Sequence, residues 1–334
     1  MKKSLTLLLF LFMIIPYSCN QEEVVNVDNI NLEIHAKRFE KDLFSLKIDS
    51  LEPGIRMLRQ KYGAFFRLFN YKIINIGSSS SPAYPEYLKR FLTDYTINQA
   101  WEATRTKFSS FDKLNKEITN GFKHYKYYFP SKQIPAVYTY ISGFNQSMVT
   151  ADSILGIGID KYLGPENELY KRMGLPSYVR YNMRKERIPV DCMRAWGMSE
   201  FIYNDSVDNV LSNMIYQGKI LYFTKKMLPE KPDNLIFGYT PKQLEWCTAN
   251  EKKMWTSLVE DKMLFKTDML TISKFIKPAP YTKGFTPNSP GQAAIWIGYR
   301  IVEKYMQRKD NVTLLELMHT DNFQQILEES RYDP

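Results

Sequence analysis

Ile134-Pro135-Ala136-Val137-Tyr138-Thr139-Tyr140-Ile141 is β-branched and aromatic, the composition of a strand. After a link through Gly143 to Ser147, Ser153-Ile154-Leu155-Gly156-Ile157-Gly158-Ile159-Asp160 gives a second strand, whose two glycines imply a bulge or a close backbone approach. Leu32 to Phe39 alternates apolar and polar side chains, the period of a half-buried strand that ends by Leu43 to Leu46. These three segments make a small sheet, and the chain around them reads at helical spacing. The expected fold class is therefore α+β, mostly helical with a small sheet, in one domain over residues 32–334.

On the N-terminal side, Pro53 starts a helix with Ile55, Leu58, Tyr62 and Phe65 on one face. Gly77 to Pro82 is a loop by composition, Tyr84 to Trp101 reads as one helix, and Phe111 to Tyr127 as another. Beyond the sheet, Val190 to Tyr203 and Asp208 to Phe223 are the two strongest helical segments. Leu211, Met214, Ile215, Gly218 and Tyr222 share a face of the second. Thr240 caps a helix with Pro241 at its first position. A further helix runs from Asn250 to Leu264, Pro278 to Pro290 is an irregular loop, and Pro290-Gly291 opens a helix through Tyr305. Thr313-Leu314-Leu315-Glu316 has the form of a capping box, starting a last helix that ends near Ser330.

Residues 1–18 read as a signal peptide: Lys2 and Lys3, an apolar run from Leu5 to Ile15, then the small Ser18. A cut there would leave Cys19 first, the layout of a bacterial lipoprotein signal, although Pro16 stands where such signals usually carry leucine. Cys19 is thus the expected lipidation site, bearing palmitate-type acyl chains, and residues 19–31 a polar tether to the membrane. The apolar run is shorter than the ~20 residues of a spanning helix.

The chain carries 45 Lys+Arg and 36 Asp+Glu for a formal charge of +9, which falls to +7 once Lys2 and Lys3 leave with the signal. The basic residues are dispersed, and no basic helix or nucleic-acid motif is present, so DNA or RNA is not an expected partner. Cys192 and Cys247 are free to pair outside the cytoplasm, but 55 residues of separation say nothing about their distance in space. His35, His124 and His319 stand singly, with none spaced as a ligand pair.

No G-x-S-x-G, P-loop, G-x-G-x-x-G or H-E-x-x-H occurs. Four segments instead carry a resemblance: Val137 to Asn145, Leu155 to Gly164, Met214-Ile215-Tyr216-Gln217-Gly218-Lys219-Ile220-Leu221-Tyr222-Phe223, and Ser289-Pro290-Gly291-Gln292-Ala293-Ala294-Ile295-Trp296-Ile297-Gly298-Tyr299. In this order, behind a lipoprotein signal, the chain resembles the gliding motility lipoprotein GldB family of Bacteroidetes. The resemblance implies a membrane-attached component linked to gliding motility or the associated secretion machinery. It would reside in the cell envelope, at the inner or outer membrane, with a protein partner.

More distantly, the same segments are similar to zinc peptidases, which bind the metal through H-E-x-x-H on one helix and Glu on a later one. That implies a zincin-like, degenerate metallopeptidase architecture. Here the first helix reads Asp191-Cys192-Met193-Arg194-Ala195-Trp196-Gly197-Met198-Ser199-Glu200, without histidine, and the later one offers Gln217-Gly218 in place of Glu-Gly. The expected function is non-catalytic, with no metal and no cofactor. The alternative is a metal-dependent hydrolase with atypical ligands such as Asp160, Asp191 or Glu200.

Asp160, Asp191, Arg194, Trp196, Glu200 and Gln217 are the candidates for a polar cleft between sheet edge and helices that could bind an extended peptide. The simpler alternative has Arg194 and Glu200 paired with neighbours and Trp196 in the core. Glu166 and Glu168 fit a helix start better than acid–base work. The 23 Tyr, 20 Phe and 5 Trp allow glycan or peptide binding, but also fit an aromatic core.

Overall fold

The computed structural model describes residues 25–334. The signal peptide, Cys19 and the start of the tether lie outside the described residues.

The sheet has four strands: β1 (Lys37–Arg38), β2 (Ala136–Tyr140), β3 (Met148–Ala151) and β4 (Ile154–Gly158), in the order β1-β2-β4-β3. β2 pairs in parallel with both β1 and β4, and β3 closes the far edge antiparallel to β4. The sequence missed β3, which is short and only half-buried. Its signal is the two-residue turn Asp152-Ser153, with Asp152 at φ 35°, linking register partners Ala151 and Ile154 as a tight hairpin.

The strand expected from Leu32 to Phe39 is a second correction. Only Lys37–Arg38 pairs in the sheet, and α1 (Phe39–Phe44) begins where the strand was to end. The alternation is real, with Ile34 and Ala36 buried between exposed neighbours. Their backbone N–H groups donate to Thr119 Oγ1 (3.0 Å) and Asn115 Oδ1 (3.1 Å) rather than to a strand. An extended segment can satisfy its backbone on helix side chains and keep the period of a strand.

Both faces of the sheet are covered. On one, α1 and α2 (Leu51–Leu68) stack aromatic rings against β2, with Phe65 parallel to Tyr138 at 4.2 Å. The glycines of β4 make that layer possible: a Cβ on Gly156 would lie 3.0 Å from the Tyr140 ring, and one on Gly158 would lie 2.1 Å from Gln146 O. The expected close approach is there, and the β2–β4 register runs unbroken from Ala136↔Ile154 to Tyr140↔Gly158. On the other face Val137, Leu155, Ile157 and Ile159 join the larger core.

α3 (Tyr84–Thr93) and α4 (Tyr95–Lys107) replace the single helix expected from Tyr84 to Trp101. Asp94, in an extended conformation, accepts from Ile97 N–H at 2.9 Å and starts the second helix as its cap. α5 (Asp112–Tyr128) follows and leads to the sheet. After β4 come α6 (Glu168–Arg172), α7 (Ser177–Arg180), α8 (Ile188–Glu200) and α9 (Val210–Met227). The chain then continues through α10 (Asp233–Phe237), α11 (Pro241–Ala249), α12 (Glu251–Glu260) and α13 (Met269–Ile276). It ends with α14 (Ala293–Arg308), α15 (Leu314–His319) and α16 (Phe323–Ser330).

α9 is buried on nearly every side, and its densest packing is against α14. A Cβ on Gly218 would sit 2.4 Å from Gly298 C, and one on Gly298 would sit 1.9 Å from Met214 O, so the two helices cross backbone to backbone.

The capping boxes at Thr240 and Thr313 are both formed. The last expected helix is divided, because the chain turns at Thr320 and Asn322 caps α16. Thr313→Ala removes the acceptor for Glu316 N–H and is expected to cost ~1 kcal/mol. Denaturant unfolding should show a lower midpoint at unchanged slope.

Candidate functional site

α8 carries most of the candidates, and its periodicity distributes them. Arg187, which caps it, and Asp191 are four apart, Arg194 follows three later, and all three share one face. Arg187 Nη2 donates to Asp191 Oδ1 at 2.5 Å, and the Tyr162 hydroxyl donates to Asp191 Oδ2 at 2.9 Å. Arg187 Nη1 donates to the carbonyl of Leu235. Burial, with the Asp191 charge beside it, pushes the Tyr162 hydroxyl well above its ordinary value. Asp191 is thus a fully engaged carboxylate.

Trp196 and Glu200 lie elsewhere on the helix. Trp196 is 2% exposed and packs edge-on to Phe122 and Tyr125. Glu200 accepts from the Tyr125 hydroxyl (3.1 Å) and pairs with Lys132 (2.9 Å). Asp160 is fully buried at the end of β4. Its Oδ2 accepts from Ser142 N–H (3.0 Å) and Phe144 N–H (2.8 Å) and clasps the loop after β2. Burial raises its carboxyl to about 6, against the opposing pull of those backbone donors.

Gln217 is half-buried on α9, beside the Gly218–Gly298 crossing. The six residues therefore do not converge on one cleft: Asp191 and Arg194 share a face of α8, and the other four lie apart from them. Asp160 and Trp196 are shut away from solvent, whereas Arg194 lines a cavity.

That cavity, about 580 Å³, lies between α8, the 177–182 segment, the 237–243 turn and the loops at 278–280 and 291–292. Tyr178, Tyr181, Phe237, Tyr239, Pro278 and Pro280 give it apolar walls, and Arg187, Arg194, Asn182 and Gln243 give it polar groups. No carboxylate, histidine or cysteine lines it. Gly238, at φ 73°, ends α10 in the left-handed region. A Cβ there would meet Asn182 at 3.0 Å and Arg187 at 3.3 Å, so glycine brings the turn against the cation.

Sequence reasoning named Arg194, though for a cleft shared with five other residues that do not line this cavity, and it missed Arg187 and Asn182. Their signal was the run Tyr178-Val179-Arg180-Tyr181-Asn182-Met183-Arg184-Lys185-Glu186-Arg187, with four cations against Glu186 alone.

Among the described residues, no three His, Cys, Asp or Glu side chains are grouped to hold a metal. Cys192 and Cys247 are both buried and free, so they form no disulfide with each other. Burial raises both thiols, Cys247 to about 12, which leaves them poor nucleophiles. Among the described residues, no helix is long and apolar enough to cross a membrane.

The fold defines an α+β protein, mostly helical around a small mixed sheet. A family profile described as gliding motility protein GldB matches residues 20–334, and the chain belongs to that family. The family name marks a lipoprotein of the cell envelope related to gliding motility. No curated protein and no solved structure gives a significant match.

Proposed function

We propose that this chain is a non-catalytic envelope lipoprotein, anchored through acylated Cys19, that serves gliding motility or its associated secretion machinery by protein interaction at the membrane. The observation that carries this reading is the composition of the Arg187–Arg194 cavity: two guanidinium groups and amides, with no carboxylate or histidine to act as base or ligand. We read the architecture as metallopeptidase-like with its ligand positions put to structural use. α8 packs against the edge strand β3, but Asp191 is spent on Arg187 and Tyr162. The Gln217-Gly218 turn of α9 sits at a helix crossing. Met269 and Leu270, 73% and 78% exposed at the start of α13, add apolar surface of the kind protein partners cover.

The test uses the full chain in detergent, purified without added metal and then exposed to zinc. The expected result is less than 0.1 equivalents of bound zinc (about a tenfold deficit against one site) and no thermal shift. In cells, a deletion should impair spreading or secretion, with rescue by the wild-type chain and not by Cys19→Ser. Stoichiometric zinc, with chelator-sensitive hydrolysis of a peptide substrate, would overturn the non-catalytic reading.

A further inference from the structure

Arg194 stands out among the cations of this cavity, half-buried on α8. Asp191, three residues before it, has both oxygens engaged by Arg187 and Tyr162. Among the described residues, Arg194 makes no hydrogen bond and no ion pair, and its guanidinium faces the cavity. Burial, together with the adjacent Arg187, weakens its hold on its proton. A half-buried guanidinium with no ion pair of its own can take a carboxylate without giving up an existing bond.

Two further groups in the same cavity are incomplete. The Arg187 side chain is only 5% exposed, yet its Nε–H has no acceptor. Asn182 donates through Nδ2 to Gly238 O at 2.9 Å, while its buried Oδ1 receives no donor. Arg194 and Asn182 Oδ1 thus keep hydrogen-bonding capacity that no group among the described residues uses. The surrounding run of Arg180, Arg184, Lys185 and Arg187 adds a positive field that favours negatively charged ligands.

We propose that this cavity is a receptor for a peptide carboxylate, with Arg194 binding the carboxylate and Asn182 Oδ1 accepting from a neighbouring amide N–H. A peptide supplies both groups at short spacing, and the walls of Tyr178, Tyr181 and Phe237 take its side chains. The planar guanidinium fork matches a carboxylate in bidentate geometry. The carboxylate has two sources, a chain terminus or an Asp or Glu side chain. This inference deepens the proposed function and rests on its non-catalytic reading.

The experiment measures thermal shift and calorimetric binding on the full chain in detergent with four probes. The first is a mixture of N-acetylated hexapeptides with free carboxy termini and no Asp or Glu. The second is an amidated mixture containing Asp and Glu, the third an amidated mixture without them, and the fourth is sodium phosphate. Stabilisation by the first or second mixture, weakened by salt and reduced about tenfold to a hundredfold in Arg194→Met, supports the proposal and identifies the source. Arg194→Lys keeps the charge without the fork. It should bind roughly tenfold more weakly than wild type, and it decides the matter should Arg194→Met not fold.

Equal binding of the acid-free amidated mixture, equal protection by phosphate, no response to any probe, or undiminished binding by the variants would each overturn it. The zinc and rescue results are independent of these outcomes. A silent cavity in a metal-free chain that still rescues cells would remove this inference alone, whereas stoichiometric zinc would remove the reading beneath it.

Discussion

Gly298→Ala is expected to abolish cooperative folding or to lower the melting temperature by about 10 °C or more, a loss of roughly 3–5 kcal/mol. The added Cβ would stand 1.9 Å from Met214 O and 2.4 Å from Met214 C. Both atoms belong to the backbone of α9, so no side chain can swing aside. The helices would have to part, and α9 and α14 are the two most heavily packed elements of the chain. Met214, Ile215, Ile297 and Ile301 are all buried in the same core, and separating the helices would open it. Such a loss is a large share of the ~5–15 kcal/mol that holds a typical domain folded.

Gly218→Ala meets Gly298 C at 2.4 Å and should behave alike. The control is Gly174→Ala, at φ 69° in an exposed turn with nothing within 4 Å of the new Cβ. It pays only for its left-handed backbone, about 1 kcal/mol. Circular dichroism melts of the three variants decide the matter. A Gly298→Ala protein that melts within 3 °C of wild type (under about 1 kcal/mol) would show that the helices do not cross at this distance.

That crossing marks a limit of what the sequence discloses. The helical period of 208–223 was legible, and so was Gly218 on its apolar face, because side-chain spacing is local information. The partner of Gly218 lies 80 residues on, and no local pattern pairs it with Gly298. The same division runs through the rest of the molecule. β2 and β4 were legible from their β-branched and aromatic runs, and the caps at Thr240 and Thr313 from residue type and spacing. Asp94 could have been read as a cap, but Leu88, Phe91, Leu92 and Tyr95 kept the apolar period running past it. The alternation of Leu32 to Phe39 was read correctly as one buried face, and wrongly as a strand, because Thr119 and Asn115 supply its hydrogen bonds.

The site was less legible than the fold for the same reason. Arg194 was singled out as a polar residue on a helix beside the sheet. Its cavity is built from four further segments, at 177–182, 237–243, 278–280 and 291–292, which only the tertiary fold brings together. Asp160 was legible as a charged residue ending a strand. That its carboxylate serves the loop after β2 rather than a cleft follows from positive φ at Gly143 and Phe144, which turns two backbone donors toward it.

Asp160→Ala is the second substitution with a large expected effect. It strands the N–H groups of Ser142 and Phe144, both buried, and each unsatisfied donor costs about 1–3 kcal/mol. A total near 4 kcal/mol is expected, with the 142–147 loop released and β2 and β4 losing their common end. Asp160→Asn keeps one acceptor oxygen for those donors and removes the buried charge, so it should stay within about 1 kcal/mol of wild type at pH 7.

The pair of variants also fixes the pH dependence. The Asp160 carboxyl titrates near 6 in the folded protein against 3.8 ordinarily, because burial outweighs its hydrogen bonds. Between those values the folded state holds the proton that the unfolded state has released. Stability from this group is therefore fully present below pH 4 and is lost as pH rises through 6. The charged neighbour is Lys161, whose own proton affinity is lowered by burial, while Tyr140 and Tyr170 stay neutral throughout. The stability of wild type minus that of Asp160→Asn should thus fall by about 2–3 kcal/mol from pH 4 to pH 7. Urea unfolding at unit pH steps measures the difference directly and cancels the other carboxylates, which titrate alike in both proteins. A flat difference would mean that the two backbone donors outweigh burial and that Asp160 stays ionised in the fold. A falling one would show that the cost of burying the charge outweighs the stronger hydrogen bonds of the carboxylate, so that the fold is most stable when the Asp160 carboxyl is neutral.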